Sequence, residues 1–153
     1  MAMGPQPENI QTWFLVFTEG AEDRWWKRWL RPGFRHAAIF GAAGPGGTVV
    51  VEAALGKLAV GLWHDWTPEQ LAKHYRAENG AHIVRIITNN KYKAVRTIDT
   101  LLFPSCVSAI KCLTGIPFRA VTPFALYGEA LLCYDGLDVT DDVIDLWAKQ
   151  GVI

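Results

Sequence analysis

The sequence predicts an α+β fold, in which an antiparallel β-sheet packs against helices. Apolar runs rich in β-branched and aromatic residues fill the first half of the chain, and turn-forming residues separate them. The later part instead carries segments with helix-capping residues at their starts. Half of the 153 residues are hydrophobic, which is enough to bury the core of one domain. Strands followed by helices, rather than alternating with them, favour this class over a parallel sheet.

The composition narrows the classes of partner and compartment. Fifteen basic and fifteen acidic side chains cancel, so nothing attracts the whole chain to nucleic acid or anionic lipid. Three cysteines do not make a paired disulfide framework, which favours a reducing compartment. The sequence lacks a signal-peptide pattern and an apolar run long enough to cross a membrane. We therefore expect one cytoplasmic domain over residues 1–153, with residues 1–11 as a loose arm and no transmembrane segment.

Five apolar runs predict the strands, and they cover residues 12–17, 34–40, 48–54, 58–63 and 82–88. The second and third runs would form a hairpin across the glycine-rich connection. That connection does not match a phosphate-binding loop, because no Lys followed by Ser or Thr comes after its last glycine and a strand follows it. A turn at residues 89–90 and an ambiguous segment over residues 92–103 come next.

Capping residues predict four helices in the order of the chain. Thr67 with Pro68 begins the first, Ser105 the second, Thr122 with Pro123 the third and Thr140 the fourth. These helices should end near residues 78, 115, 132 and 151.

The segment 19–31 holds three tryptophans among basic residues. Trp25 and Trp29 are four residues apart and would share one face of a helix. We expect these rings to pack on the core while the charges face water. A membrane surface or stacked nucleic-acid bases are the alternatives for such a segment. Because the stretch is short and the chain is neutral overall, we predict no nucleic-acid partner.

A cysteine stands at the start of the second predicted helix. Ser105 is the expected N-cap, Cys106 lies in the first turn, and Gly115 is placed to end the helix. Unpaired N–H groups and the positive end of the helix dipole meet at the first turn, which favours a nucleophilic thiolate. The alternative is that Cys106 is a small buried hydrophobic residue, as most free cysteines are. Cys112 and Cys133 are expected to be structural, with Cys133 buried.

A cysteine nucleophile needs a base, and His36 is the best placed of the four histidines. It lies in the first strand of the predicted hairpin. If the connection is centred on Gly44, Phe40 faces Thr48 and His36 faces Glu52, close enough for a hydrogen bond. The carboxylate would then fix the ring tautomer and stabilise the imidazolium. An exposed surface pair that contributes little stability is the alternative.

The sequence also indicates which residues could surround this site and whether it holds a metal ion. Trp63 and His64 would either border a cleft or pack locally as loop residues. The sequence contains none of the paired His and Cys spacings of zinc sites, so we expect no metal and no cofactor.

Several short motifs together resemble the circularly permuted papain-like superfamily, and within it the NlpC-type cysteine peptidase relatives of phages and bacteria. Permuted members carry the histidine strand before the cysteine helix, which is the order in this chain. The similarity covers roughly residues 12 to 130. The motifs that carry it are Phe34-Arg35-His36-Ala37-Ala38-Ile39-Phe40, Val49-Val50-Val51-Glu52, Ser105-Cys106-Val107-Ser108-Ala109-Ile110-Lys111, Gly115-Ile116 and Thr122-Pro123-Phe124-Ala125-Leu126-Tyr127.

The resemblance implies a thiol hydrolase, a peptidase or amidase that acts through a thioester. Cys106 would be the nucleophile, His36 the base and Glu52 the orienting residue, although many relatives have His, Asn or Gln in this third place. The backbone N–H of Cys106, aided by Ser105, would form part of the oxyanion hole. Phage relatives imply cell-wall peptide as substrate or a role with virion or tail components, in the host cytoplasm or the virion. A non-enzymatic phage assembly protein that keeps the fold, and a thiol acyltransferase acting on lipid, are the alternatives.

Overall fold

In the part of the chain that the structure describes, six strands form one sheet in which every neighbouring pair is antiparallel. The computed structural model describes residues 11–20, 25–54, 57–88 and 105–140. In chain order the strands are β1 (Gln11–Thr18), β2 (His36–Ala42), β3 (Gly47–Ala54), β4 (Lys57–His64), β5 (His82–Thr88) and β6 (Leu137–Asp138). Across the sheet their order is β4-β3-β2-β1-β5-β6. The predicted α+β class is confirmed, and the first five strands match the five apolar runs.

Among the described residues, three α-helices and one short 3-10 helix accompany the sheet. They are the 3-10 helix (Trp25–Trp29), α1 (Pro68–Asn79), α2 (Cys106–Thr114) and α3 (Pro123–Cys133). The predicted arm before β1, the turn at 89–90, the segment 92–103 and the body of a helix after Thr140 lie outside the described residues. None of the helices in the described ranges is long and apolar enough to cross a membrane.

The central strand β1 is buried on both faces. Its odd-numbered residues Trp13, Leu15 and Phe17 join a hydrophobic cluster with side chains of α2 and α3. Its even-numbered residues Phe14 and Val16 join a second cluster with side chains of α1. Because side chains alternate along a strand, this arrangement gives three layers, with the sheet between α1 and the pair α2 and α3.

Capping hydrogen bonds confirm the predicted starts of α1, α2 and α3 and the predicted ends of α1 and α2. Thr67 caps α1 and exchanges hydrogen bonds with Gln70, and Gly80 ends this helix in the left-handed conformation with φ of 59°. Ser105 caps α2 and exchanges hydrogen bonds with Ser108 in the same way. Each cap pairs first-turn N–H groups that the helix itself cannot satisfy. The start of α2, and therefore the position of Cys106, follows from local sequence.

The register of the β2–β3 hairpin differs from the prediction by two residues. Phe40 pairs with Val50 instead of Thr48, and Ala38 pairs with Glu52. The difference arises because the connection is centred on Pro45 rather than on Gly44, with the N–H of Ala43 donating to the carbonyl of Gly47 over 2.9 Å. A shift of two residues keeps every side chain on its predicted face. His36 and Glu52 therefore stay on one face, as diagonal rather than directly opposed neighbours.

The predicted burial of the tryptophan rings was wrong for Trp25 and Trp29, whereas Arg28 and Arg31 are exposed as expected. Among the described residues of this segment, Trp25–Trp29 forms a 3-10 helix. Trp25 and Trp29 are 73% and 82% exposed, whereas Lys27 is buried at 6%. Three residues per turn place Lys27 on a different side of the helix from both rings. The Nζ of Lys27 donates to the carbonyl of Glu19 over 3.5 Å, so the lysine side of this helix faces the protein.

Candidate active site

His36 and Glu52 form a hydrogen-bonded pair at the start of β2. His36 is the first residue of that strand, and Glu52 lies on the neighbouring β3. The Nε2 atom of His36 is 3.3 Å from Oε2 of Glu52. Their side chains are 22% and 42% exposed, so the histidine is the better shielded of the two. Diagonal neighbours on a sheet lie within reach of side chains of this length.

Cys106 approaches the same imidazole from α2. It is the first residue of that helix, which packs against β2 and β3. The cysteine is half-buried at the margin of the cluster between the sheet and α2. Its side chain forms a hydrogen bond with His36. The structure therefore brings together all three residues that the sequence analysis assigned to catalysis.

The two neighbours of His36 favour its charged form. The hydrogen bond with Cys106 is the largest influence and the hydrogen bond with Glu52 the second, and together they raise the pKa of His36 to about 9 against the opposing effect of burial. In turn the hydrogen bond from His36 lowers the pKa of Glu52, again against burial. At neutral pH the site thus holds an imidazolium beside a carboxylate. This charged ring lies beside the Cys106 side chain as well as beside the carboxylate.

Glu19 holds the chain where it enters β2. One oxygen of its carboxylate accepts a hydrogen bond of 2.6 Å from the backbone N–H of Gly33, in the turn before the strand. The other oxygen forms an ion pair with Nη1 of Arg35 at 2.5 Å. The backbone N–H of Arg35 donates to the carbonyl of Thr18, which joins this entry to the end of β1. Sequence reasoning missed Glu19, because no local motif marks a contact across fourteen residues.

Gly20 leaves the room that the His36 side chain needs. A Cβ atom at this position would lie 3.0 Å from Cβ of His36 and 2.9 Å from Nζ of Lys27. Its φ of +76° lies in the left-handed region, which glycine adopts without steric cost. Sequence analysis gave Gly20 no role, since a glycine after a strand ordinarily marks only a turn.

Ser105 adjoins the site, but its hydroxyl is engaged in the helix cap. Its Oγ accepts from the N–H of Ser108 over 3.1 Å and lies 3.0 Å from the hydroxyl oxygen of Ser108. The role of Ser105 is therefore to fix the first turn that carries Cys106.

Trp63 and His64 lie at the opposite end of the sheet, which corrects the expectation that they border the cleft. His64 pairs with Gly47, beside the hairpin connection, whereas Glu52 pairs with Ala59. The rise along β3 from Gly47 to Glu52 is about 17 Å. Trp63 contacts the ring of Trp66 edge to face, so the alternative of local packing describes it.

The other two cysteines differ in exposure. Cys112 is half-buried, and Cys133 is exposed, contrary to the prediction that it is buried. Helical spacing places Cys133 on the same face as Leu126 and Ala130, but it is the last residue of α3 and lies beyond Ala130, the last buried residue of that helix. Within the described ranges, no three His, Cys, Asp or Glu side chains come together in a group that could hold a metal ion.

The chain matches no known family model, no curated protein and no solved structure. The functional argument therefore depends on the geometry around His36.

A substitution at Gly20 tests whether its close approach positions His36. We expect Gly20→Ala to lower the free energy of unfolding by about 1–2 kcal/mol through its backbone conformation alone, and further through the contact with His36. Denaturant titration measures this loss, and alkylation of Cys106 by iodoacetamide should slow at the same time.

The matched control is Gly80→Ala. Gly80 has a similar φ of +59°, but a Cβ there would meet no atom within 4 Å. This variant should lose only the part of the free energy of unfolding that comes from the backbone conformation. Its Cys106 should be alkylated at the wild-type rate. Equal losses and equal alkylation rates in the two variants would contradict a positioning role for Gly20.

Proposed function

We propose that this protein is a cysteine hydrolase that cleaves an amide or ester bond through a thioester. Cys106 is the nucleophile, His36 the general acid and base, and Glu52 the residue that orients and charges the imidazole. The observation that carries this proposal is the position of His36 between a cysteine side chain and a carboxylate. A nucleophile, a base and an orienting group in mutual contact are the parts that covalent catalysis requires.

The proposed reaction moves one proton through His36. The Cys106 thiolate attacks the carbonyl carbon, a C–S bond forms, and the carbonyl oxygen becomes an oxyanion. When the oxyanion collapses, the bond to the leaving amine breaks and the imidazolium gives that amine its proton. Neutral His36 then takes a proton from water, and the resulting hydroxide attacks the thioester. The C–S bond breaks, the acid leaves, and the thiolate and imidazolium are restored.

The start of α2 supports stabilisation of the oxyanion. First-turn N–H groups have no acceptor within their own helix, and Ser105 accepts the N–H of Ser108. The backbone N–H of Cys106 is then the donor next to the sulfur, with the positive end of the helix dipole behind it. In this proposal Ser105 acts through the cap rather than as a direct donor.

The order of the elements supports the finer fold assignment. The strand that bears His36 precedes the helix that bears Cys106, as in the circularly permuted papain-like superfamily that the sequence resembles. On this basis we propose a peptide or amide substrate, with bacterial cell-wall peptide or a virion or tail component as the target. The corresponding place of action is the host cytoplasm or the virion.

The exposed rings of Trp25 and Trp29 favour a second candidate, a thiol acyltransferase or hydrolase acting on lipid. Their 3-10 helix adjoins the site, because Lys27 and His36 both approach Gly20. Arg28 and Arg31 are exposed on the same segment. Tryptophan beside basic residues suits the boundary between lipid headgroups and acyl chains.

Alkylation tests the nucleophile directly. We expect iodoacetamide at neutral pH to modify Cys106 about tenfold faster than Cys133, because an ordinary thiol is only a few per cent ionised there. Peptide mass spectrometry over time gives the rate at each cysteine. Cys133 is a stringent control, because it is more exposed than Cys106 and greater exposure alone would make it react faster.

His36→Ala should slow the alkylation of Cys106 to the rate of Cys133, and should lower turnover by about 10²–10⁴-fold. Cys106→Ser should abolish turnover while it leaves the thermal midpoint within a few degrees of the wild type. Slow, equal alkylation of all three cysteines would instead favour the non-enzymatic assembly protein.

The charge state of His36 predicts a pH dependence that varies with the leaving group. The pKa of about 9 means that the imidazolium is present below that pH and is lost above it. Turnover of a p-nitroanilide should fall as the pH rises through about 9, because its amine leaving group needs the proton. Acylation by a p-nitrophenyl ester of the same acid should not fall, because its leaving group departs as an anion.

Glu52→Gln serves as the control for this profile. It keeps the shape of the side chain and removes the negative charge, so the alkaline fall with the p-nitroanilide should move to lower pH. If the ester and the anilide show the same alkaline fall, His36 is not the general acid.

Vesicle binding tests the lipid candidate. We expect the full chain to sediment with vesicles containing phosphatidylserine at low salt, and to do so less with phosphatidylcholine alone. The double variant Trp25→Ala, Trp29→Ala should lose this binding, whereas Leu132→Ala should keep it. Leu132 is 87% exposed and lies on α3, which makes it a matched apolar control. Binding that is absent at low salt would remove the lipid candidate and leave the peptide or amide substrate.

A further inference from the structure

An apolar stripe lies exposed along the edge strand β4. Leu58, Val60 and Leu62 are 57%, 65% and 53% exposed. Alternate residues of a strand point to one face, so these three side chains form a continuous row. Within the described ranges β4 pairs with β3 alone, which leaves its outer edge open. Single exposed apolar residues are ordinary, but a row on a free edge is typical of an interaction site.

This edge lacks the features that usually prevent strand pairing. Natural edges are protected by proline, by a bulge, by central charges or by short length. The eight residues of β4 include no proline, and their register with β3 continues without a bulge from Lys57 to His64. The charged Lys57 stands at the end of the strand rather than at its centre. The opposite edge of the sheet, β6, is only two residues long.

The sequence of β4 matches itself in the antiparallel direction. Around Val60 it reads Leu58-Ala59-Val60-Gly61-Leu62, with a leucine two residues away on each side. Two copies related by a two-fold axis at Val60 would place Val60 opposite Val60 and Leu58 opposite Leu62 of the second copy. On the other face, Ala59 would meet Gly61, and both are small. At the ends, Lys57 would meet Trp63, which allows a cation–π contact.

Other symmetric registers fit less well. Directly opposed residues must share a face, so the axis can move only in steps of one residue along the strand. An axis at Gly61 sets Leu58 against His64. An axis at Ala59 leaves Leu62 beyond the end of the strand of the second copy. The axis at Val60 pairs the whole apolar row.

We propose that the protein forms a two-fold symmetric dimer through β4, which joins two six-stranded sheets into one of twelve strands. The occupant of the edge is a second copy of this chain, because the row is complementary to itself. An anionic surface fits poorly, since the centre of the strand carries no basic side chain. A contact between two strands is small, so the dimer should dissociate reversibly on dilution.

Light scattering during size-exclusion chromatography tests the proposal on the full chain. The mass should rise from one chain to two as the concentration increases through the micromolar range. Val60→Lys sets two like charges against each other on the axis and should keep the protein monomeric. Leu132→Lys puts the same charge at an exposed leucine on α3 and should dimerise like the wild type. A monomer at every concentration, or a Val60→Lys dimer, would overturn the proposal.

Cross-linking tests the register without relying on a destabilising variant. In a background with all three native cysteines replaced by serine, Val60→Cys should form a disulfide-linked dimer with a mild oxidant, because directly opposed Cα atoms lie within disulfide range. Leu58→Cys alone should not cross-link, since its own counterpart would be about 13 Å away along the strand. A mixture of Leu58→Cys and Leu62→Cys should cross-link. Failure of Val60→Cys, or cross-linking by Leu58→Cys alone, would reject this interface.

The two proposals can fail separately. The dimer needs no active Cys106, and the proposed catalytic residues all come from one chain. A monomer with a fast-reacting cysteine would leave the hydrolase intact, and an inert dimer would leave the interface intact.

Discussion

The imidazole of His36, held between a sulfur and a carboxylate, is the interaction on which the functional interpretation depends. A charged ring that is partly withdrawn from water is unfavourable unless opposite charges or acceptors surround it. Here Cys106 and Glu52 are its two partners, and their hydrogen bonds raise the pKa of His36 to about 9 against the opposing effect of burial. One residue thereby links a strand, its neighbour and a helix that follows seventy residues later. The site exists only when the sheet and α2 are assembled.

The end of β1 connects this site to the core. Five consecutive residues of β1 are buried, and the same strand ends where Glu19 and Gly20 begin. Glu19 fixes the turn that leads into β2, and Gly20 leaves space beside His36. The packing that stabilises the fold therefore also sets the position of the proposed base. Because the core packing holds the residues that support His36, the imidazole itself needs few additional contacts to stay in position.

At two places on the surface, apolar side chains that would ordinarily be buried are exposed to water. In the 3-10 helix Lys27 is buried while Trp25 and Trp29 are exposed, and along β4 the side chains of Leu58, Val60 and Leu62 face water. Both features are unfavourable for an isolated monomer, because each exposes apolar area that folding could have buried. They lie at different parts of the molecule, the first beside His36 and the second on the outer edge of the sheet. We therefore assign them to different partners.

The sequence by itself determined the first five strands and the caps of α1, α2 and α3, because these follow from periodicity and from contacts within a few residues. It also suggested Cys106, His36 and Glu52 as candidate site residues. Ser105, Ser108 and Gly115 define α2 locally, and so the position of Cys106 on its first turn was predictable. Only the tertiary structure decided the hairpin register, the inward turn of Lys27, and the distance of Trp63 and His64 from the site. Each of these depends on how a connection closes or on which side of an element meets the core. Such choices are made by residues far apart in the chain, as Glu19 with Gly33 and His36 with Cys106 illustrate.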